Sequence, residues 1–563
     1  MNSPSLKEPN SAARLLSLPT EILNAIVSRL PNHGIKNLRL TCRLFHRLAV
    51  LRLDRVFLSA NPRNIEVFCA VARHEELRKQ ISEIVWDDAR LPHSQGEQQN
   101  TDSDSDADES DSENGDHDGD CPTWFARACE ANEYQLKDRR GQDIIDGRRP
   151  DHVARAGQLE AQMSRRDAWA YYCELLRLQD RVLQQGADVA AFEQCVLRDR
   201  RFPSLQRITI TPASHGFLFN PLHETPMIRA FPPGFNYPIP HTWPGMRSEP
   251  PPPVATSWRD ATDEDKDRWR GFRVITRAIT QHLKEHQDSL GDPGSTFSIP
   301  EVVVNVNELH TGINCTIFDD PPCAEYNDFA AVLRQPNFRR IDLALIVGGQ
   351  WYENWSAFRS GLLCKAWAGA KDLEHVSLRA DVTESDPDAT RATDDRNFVP
   401  LLTIIPVDKW SRLRHLGLAR FLVRQDDVLG LLAGLPLTIR SIELSFLCFL
   451  PERGSYKGLL DDVRDTLGWR DRVPAERPRV TVGLDLDQPV AGRAIWVESE
   501  ISDFLYEDAT NPFGSEGWGV DQVPHGKGVV RDAFEPAHER PWMDGISLIR
   551  QGYYEWPSWL PKQ

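Results

Sequence analysis

An apolar triplet of fixed spacing, one residue then two more at the third and fifth positions beyond it, recurs along this chain. It appears at Ile81, Ile84 and Trp86 and again at Leu205, Ile208 and Ile210. It then returns in quick succession at Ile299/Val302/Val304, Phe338/Ile341/Leu343, Leu373/Val376/Leu378, Leu413/Leu416/Leu418 and Ile439/Ile442/Leu444. The starts of these five lie 39, 35, 40 and 26 residues apart. The last two members of each triplet alternate with a non-core position, as in a strand with one buried face. Helix-like stretches at 326–333, 351–367 and 426–432 fall between several of them. A single strand–helix unit leaves its apolar side open, whereas stacked units share one continuous core. The expected fold is therefore α/β, an irregular strand–helix solenoid. Period two sends the intervening side chains to the opposite surface: Arg340 and Asp342, His375, Ser377 and Arg379, His415 and Gly417, Ser441 and Glu443. That row is polar and chemically mixed, as a surface that recognises a protein substrate would be, although each residue alone also fits a solvated strand position.

Residues 16–51 form a second dense apolar stretch. Ile22, Leu23, Ile26, Val27 and Leu30 fall on one stripe of a 3.6-residue period. Pro19 suits a helix start, Glu21 suits the positive end of the helix dipole, and Pro31 marks the stop. After Asn32-His33-Gly34 a further helical stretch carries two stripes, Ile35, Leu38, Cys42 and Phe45 on one and Leu40, Leu44 and Leu48 on the other. A unit of about 40 residues cannot bury two such faces by itself. One face belongs to a partner or to the rest of the chain.

The run Leu18-Pro19-x-Glu21-Ile22-Leu23, then Leu30-Pro31, then Ile35-x-x-Leu38-x-Leu40-x-Cys42-Arg43-x-Phe45 resembles the F-box. The resemblance covers residues 14–58, about a tenth of the chain. It departs mildly, with Thr41 where valine is common and Phe45 where tryptophan is common. It implies a three-helix module that docks on the Skp adaptor of a cullin-RING ubiquitin ligase. Leu18, Pro19, Ile22, Leu23, Ile26, Leu30, Ile35, Leu38, Cys42 and Phe45 would then be the adaptor-binding positions. The triplet region is similar to the irregular leucine-rich repeats of many F-box proteins, and its insertions to those of filamentous fungi. The variable period, the missing Asn after each strand and the long insertions depart from the standard repeat, so a more globular α/β layer stays open.

The expected organisation is an F-box at 14–58, a helix and first strand at 59–92, an acidic insertion at 93–122, a recognition domain at 150–500 and an irregular capping segment at 501–563. Within the insertion, residues 101–120 carry ten Asp or Glu and no Lys or Arg, which predicts disorder. Residues 153–185, 189–198, 263–290 and 458–469 read as helices and 479–485 as a last strand. The segment 511–541 is rich in Gly and Pro and lacks periodicity. A Pro-rich irregular loop is expected over 215–254.

A formal net charge of −17 argues against nucleic acid or an acidic membrane surface as a partner for the whole chain. No apolar run is long enough to span a membrane. Ten cysteines without CxxC spacing read as free thiols in a reducing compartment, cytoplasm or nucleus. Lys36, Arg39, Arg43, Arg47, Arg52 and Arg55 stand against the single acid Asp54. They suit phosphate or, better, an acidic partner surface reached by electrostatic steering. His310, Cys315, Asp319, Asp320 and Cys323 are close in sequence, but their spacing is that of a loop and no metal or cofactor is expected. No catalytic motif is present. The function expected is an adaptor without an active site, bridging the Skp adaptor, and through it a cullin, to a protein substrate. The alternatives are an F-box scaffold acting outside any ligase and an enzyme hidden in residues 200–500.

Overall fold

In the computed structural model every one of these triplets is a strand. The described residues are 18–30, 32–94, 121–141, 150–240, 243–244, 254–287, 298–307, 309–350, 354–382, 398–486, 492–514, 522–535 and 539–551. The acidic run 101–120, Pro31, the prolines at 251–253 and Trp518 lie outside them.

Nine strands run parallel: β1 (Arg55–Ser59), β2 (Glu83–Asp87), β3 (Arg207–Thr211), β4 (Glu301–Val304), β5 (Arg340–Ile346), β6 (His375–Arg379), β7 (His415–Ala419), β8 (Ser441–Ser445) and β9 (Arg479–Asp485). Each pairs with the strand before and after it in sequence, with no reversal of order. A doubly wound sheet would reverse at a switch point. The register aligns the middle triplet positions, together with Val480 of β9, into a single row, Val56, Ile84, Ile208, Val302, Ile341, Val376, Leu416, Ile442 and Val480. None of the nine is more than 3% exposed. Burial of each such side chain contributes about 1.5–3 kcal/mol in transfer free energy, before chain entropy is counted. Val56 belongs to an eighth triplet, Leu53/Val56/Leu58, at the end of the stretch that resembles the F-box.

Three short helices precede the sheet: α1 (Thr20–Val27), α2 (Asn32–Thr41) and α3 (Arg43–Leu48). The connections supply α4 (Pro62–Arg73), α5 (Thr123–Gly141), α6 (Pro150–Glu160), α7 (Arg165–Gln185), α8 (Ala187–Phe192), α9 (Arg270–Gln287), α10 (Ala324–Leu333), α11 (Leu362–Ala368), α12 (Gln425–Ala433) and α13 (Tyr456–Thr466). Successive helices α9, α10 and α11 pack on one another, as do α12 and α13, forming a second layer over the apolar row. The stretch 153–185 is two helices, because Ser164 caps α7 by accepting from the Asp167 amide. Gly186 ends α7 at φ 61°, as its sequence position predicted. The stretch 189–198 likewise divides: α8 passes into a π-helical turn over Glu193–Arg198. Helix α5 was not anticipated; its Phe125 and Cys129 pack with Tyr172 and Leu175 of α7.

The C-terminal region is more regular than its composition suggests. Helix α14 (Ser499–Tyr506) and strands β10 (Arg493–Val497), β11 (Val529–Asp532) and β12 (Glu539–Pro541) follow β9, the strands pairing antiparallel in order. Strands β11 and β12 are too short for their alternation to stand out among Gly and Pro. A buried ionic cluster ties them to the middle of the chain. Asp532 receives hydrogen bonds from Arg139 of α5 and, at 2.8 Å, from Arg493 Nε, while Arg155 of α6 donates to Glu535. All five side chains are less than 10% exposed. Among the described residues no helix is long and apolar enough to cross a membrane.

Candidate functional site

Two surfaces stand out. The first is the outer side of the N-terminal helices. Val27, Ile35 and Ala49 close a small interior, with Leu30 and Leu38 against it, and Leu23 and Phe45 are buried as well. The chain breaks at Cys42, which is extended at φ −160°, so the two predicted stripes do not run along one helix. Of the predicted contact positions, Leu23, Ile35 and Phe45 are therefore inside the module. Their alternation around so small a core was indistinguishable in sequence from an outward stripe. Leu18, Pro19, Ile22 and Ile26 are exposed, with Ile22 at 48% and Ile26 at 38%. Spaced by four, Ile22 and Ile26 share one face of α1, and Leu18 lies just ahead of its start. Leu30, Leu38 and Cys42 are half-buried, and Leu40 is 85% exposed. Two of the six basic residues here serve as internal struts. Arg52 donates to the carbonyls of Ser28 and Leu30 at the end of α1, and Arg39 donates to the Ala49 carbonyl at 2.7 Å. Arg55 faces Glu83 at 3.5 Å.

The second surface is the sheet face opposite the apolar row. Strand register brings Arg340, His375, His415, Ser441 and Arg479 side by side, and next to them Asp342, Ser377, Gly417, Glu443 and Thr481. Asp342 receives Arg340 Nη2 at 2.5 Å and stands 2.9 Å from His375 Nε2. Burial alone would raise its pKa, but the His375 and Arg340 contacts hold it below the usual carboxylate range. The His375 and His415 rings stack at 4.0 Å with planes 10° apart. Burial, and then the neighbouring His375, push the His415 imidazole down to about 3, so it is neutral at ordinary pH. Gly417 gives this pair room: a Cβ there would stand 2.7 Å from Ser377 Oγ and 3.3 Å from His415 Nε2. Arg379 lies over the Phe446 ring at 5.8 Å. Ser445 donates to Glu443 at 3.1 Å.

Beyond the predicted row, Arg420 lies over Phe446 at 4.4 Å and grips Asp485 with two hydrogen bonds of 2.8 Å. Arg420 and Phe446 each follow a strand directly and each takes the left-handed conformation, at φ 57° and 55°. That equivalence was the signal in the sequence: both residues come two positions after the last apolar member of a triplet. At the end of the row, Ser441, Glu443, Arg479, Thr481 and Trp496 line a hollow of about 570 Å³. Trp496 was out of reach of sequence reasoning because β10 was not recognised as a strand.

The other chemistry-bearing residues are structural. Cys323 caps α10 by accepting from the Tyr326 amide, Asp319 accepts from Ser356 at 2.9 Å, and Cys315 is buried. Among the described residues no three His, Cys, Asp or Glu are grouped to hold a metal ion. Asp87 at the end of β2 is buried beside Asp88, and desolvation lifts its carboxyl to about 7, against the lowering effect of the nearby Ser214 hydroxyl and of the bond from the Ala89 amide.

No curated protein matches the chain. Residues 15–52 match the family model of the F-box domain, a module that typically binds the Skp adaptor within Skp–cullin–F-box ligases. The three helices ahead of the sheet, with their uncovered apolar face, are therefore the F-box domain that this chain carries.

Proposed function

We propose that this chain is the substrate-recognition subunit of a Skp–cullin–F-box ubiquitin ligase. The observation that carries the reading is the uncovered stripe Leu18, Ile22 and Ile26 on a module that has already closed its own core with Leu23, Ile35 and Phe45. In this reading the stripe, with Pro19, Leu30, Leu38 and Cys42 around it, lies against the Skp adaptor. The parallel strands, taken in sequence order with a helix layer on one face, are an irregular leucine-rich-repeat-like array. Its polar face, from Arg340 to Glu443, holds a protein substrate. The contribution to rate is proximity: a substrate lysine is kept at high effective concentration beside a ubiquitin-charged enzyme. The subunit has no active site of its own and works in the cytoplasm or nucleus. Affinity purification of the full chain tests this. Recovery of both the Skp adaptor and a cullin is expected, and recovery of the adaptor without any cullin overturns the ligase role in favour of a scaffold.

A further inference from the structure

All ten cysteines are free thiols, and two of them lie side by side on separate elements. Cys69 belongs to α4, and Cys195 to the π-helical turn that follows α8, 126 positions later. Helix α4 packs on α8. Ile65, Phe68, Cys69 and Ala72, at offsets of three, four and seven, make one stripe of α4. They share a core with Val189, Phe192, Cys195 and Val196. Beyond the turn the Phe202 ring stands 5.4 Å from that of Phe68, so the chain on both sides of Cys195 is held against the same helix. Within the turn the Asp199 amide donates to the Gln194 carbonyl, five positions back, at 2.9 Å. Turns of this kind recur at functional sites.

Both thiols are half-buried, so a small reagent in solvent reaches them. Burial first, and then the neighbouring Cys69, push the Cys195 thiol up to about 11. Cys195 therefore keeps its proton at neutral pH, which leaves Cys69 as the sulfur that attacks.

We propose that Cys69 and Cys195 form a reversible disulfide by exchange with a small disulfide such as oxidised glutathione. The Cys69 thiolate attacks one sulfur of glutathione disulfide and expels one glutathione thiolate, leaving a mixed disulfide on Cys69. The negative charge beside Cys195 is then gone, and Cys195 loses its proton as it attacks the Cys69 sulfur. The bond to glutathione breaks and the second glutathione leaves. Two protein thiols are oxidised, one glutathione disulfide is reduced, and the two thiol protons end on the two glutathiones. The bridge ties α4, which follows β1, to the segment that leads into β3, with β2 between those strands. In a reducing compartment such a bond is transient and follows the redox state. The inference does not depend on the ligase reading.

The test equilibrates the native full-length chain with graded mixtures of reduced and oxidised glutathione. Free thiols are blocked with iodoacetamide, and the chain is digested without reductant for mass spectrometry. A single cross-linked pair, Cys69 with Cys195, is expected in at least about half of the chains at the oxidising end, reversed by dithiothreitol. The other cysteines are expected to stay alkylated. The oxidised chain is expected to melt at least about 3 °C higher, because the bridge closes a long loop. Cys195→Ser is expected to hold one glutathione on Cys69, whereas Cys69→Ser takes up at least about tenfold less in the same time. Absence of the Cys69–Cys195 pair across the whole series overturns the proposal, as does a cross-link seen only after denaturant is added. Equal glutathione uptake by the two variants overturns the direction of attack. The parent chain alone decides the bridge, and alanine replaces serine in any variant that does not fold.

Discussion

Asp87 ends β2 with its carboxyl shut away from water, and a carboxylate without water is costly. Burial lifts its pKa to about 7 from an ordinary value of 3.8. The folded state therefore holds this proton more tightly than the unfolded chain does. Stability from Asp87 is fully present below about pH 4 and declines as pH rises toward 7. Asp87→Asn removes that decline while keeping an oxygen for the Ala89 amide, now 3.2 Å away. The variant is expected to gain about 1–3 kcal/mol at pH 8 and nothing near pH 3.5, measured by urea denaturation at both. No feature of the sequence singles out Asp87 from Asp88 beside it. Burial raises the Asp88 carboxyl as well, although Asp88 accepts from Trp243 and from the Gly271 amide, both at 2.9 Å and both far away in sequence.

At the scale of the element, the F-box helices divide their apolar residues between an inside and an outside. Ile22 and Ile26 are on the outside, so Ile22→Asp with Ile26→Asp leaves the module folded. Binding to the Skp adaptor is expected to fall by at least about tenfold, read by calorimetry, while the melting temperature hardly moves. Leu23, one position along, is 2% exposed, and Leu23→Asp buries a charge without a partner. That variant is expected to lose the helical signal of the module along with binding. Equal behaviour of the two variants would show that the division drawn here is wrong. The sequence located this module, and its period revealed the helices, but not which stripe faces in. With six to ten residues per helix, hydrophobicity alone leaves both solutions open. The strands were easier to read, because a triplet whose members must all reach one core has a single way to face. The C-terminal strands were missed for the opposite reason: β11 and β12 hold only four and three residues each.

Across the whole molecule, one group of contacts runs against the local order. Arg139 and Arg155, on helices that precede β3, find Asp532 and Glu535 near the other end of the chain. Removing one member of such a buried set leaves the others charged and poorly matched. Asp532→Asn is expected to cost about 3 kcal/mol in thermal unfolding, far more than Glu539→Gln on the exposed edge strand. Similar losses for the two would mean that the cluster contributes little to holding the ends together.

The monotonic strand order has a further consequence during synthesis. As the chain leaves the ribosome, each new strand of the parallel run meets a neighbour that has already emerged, so assembly can advance with translation and long searches are avoided. Helices α5 and α6 must wait, because the carboxylate partners of their buried arginines follow 393 and 380 residues later. Until Asp532 and Glu535 arrive, the nascent chain carries a finished parallel run and an unfastened clasp, and that interval is when a chaperone has most to protect.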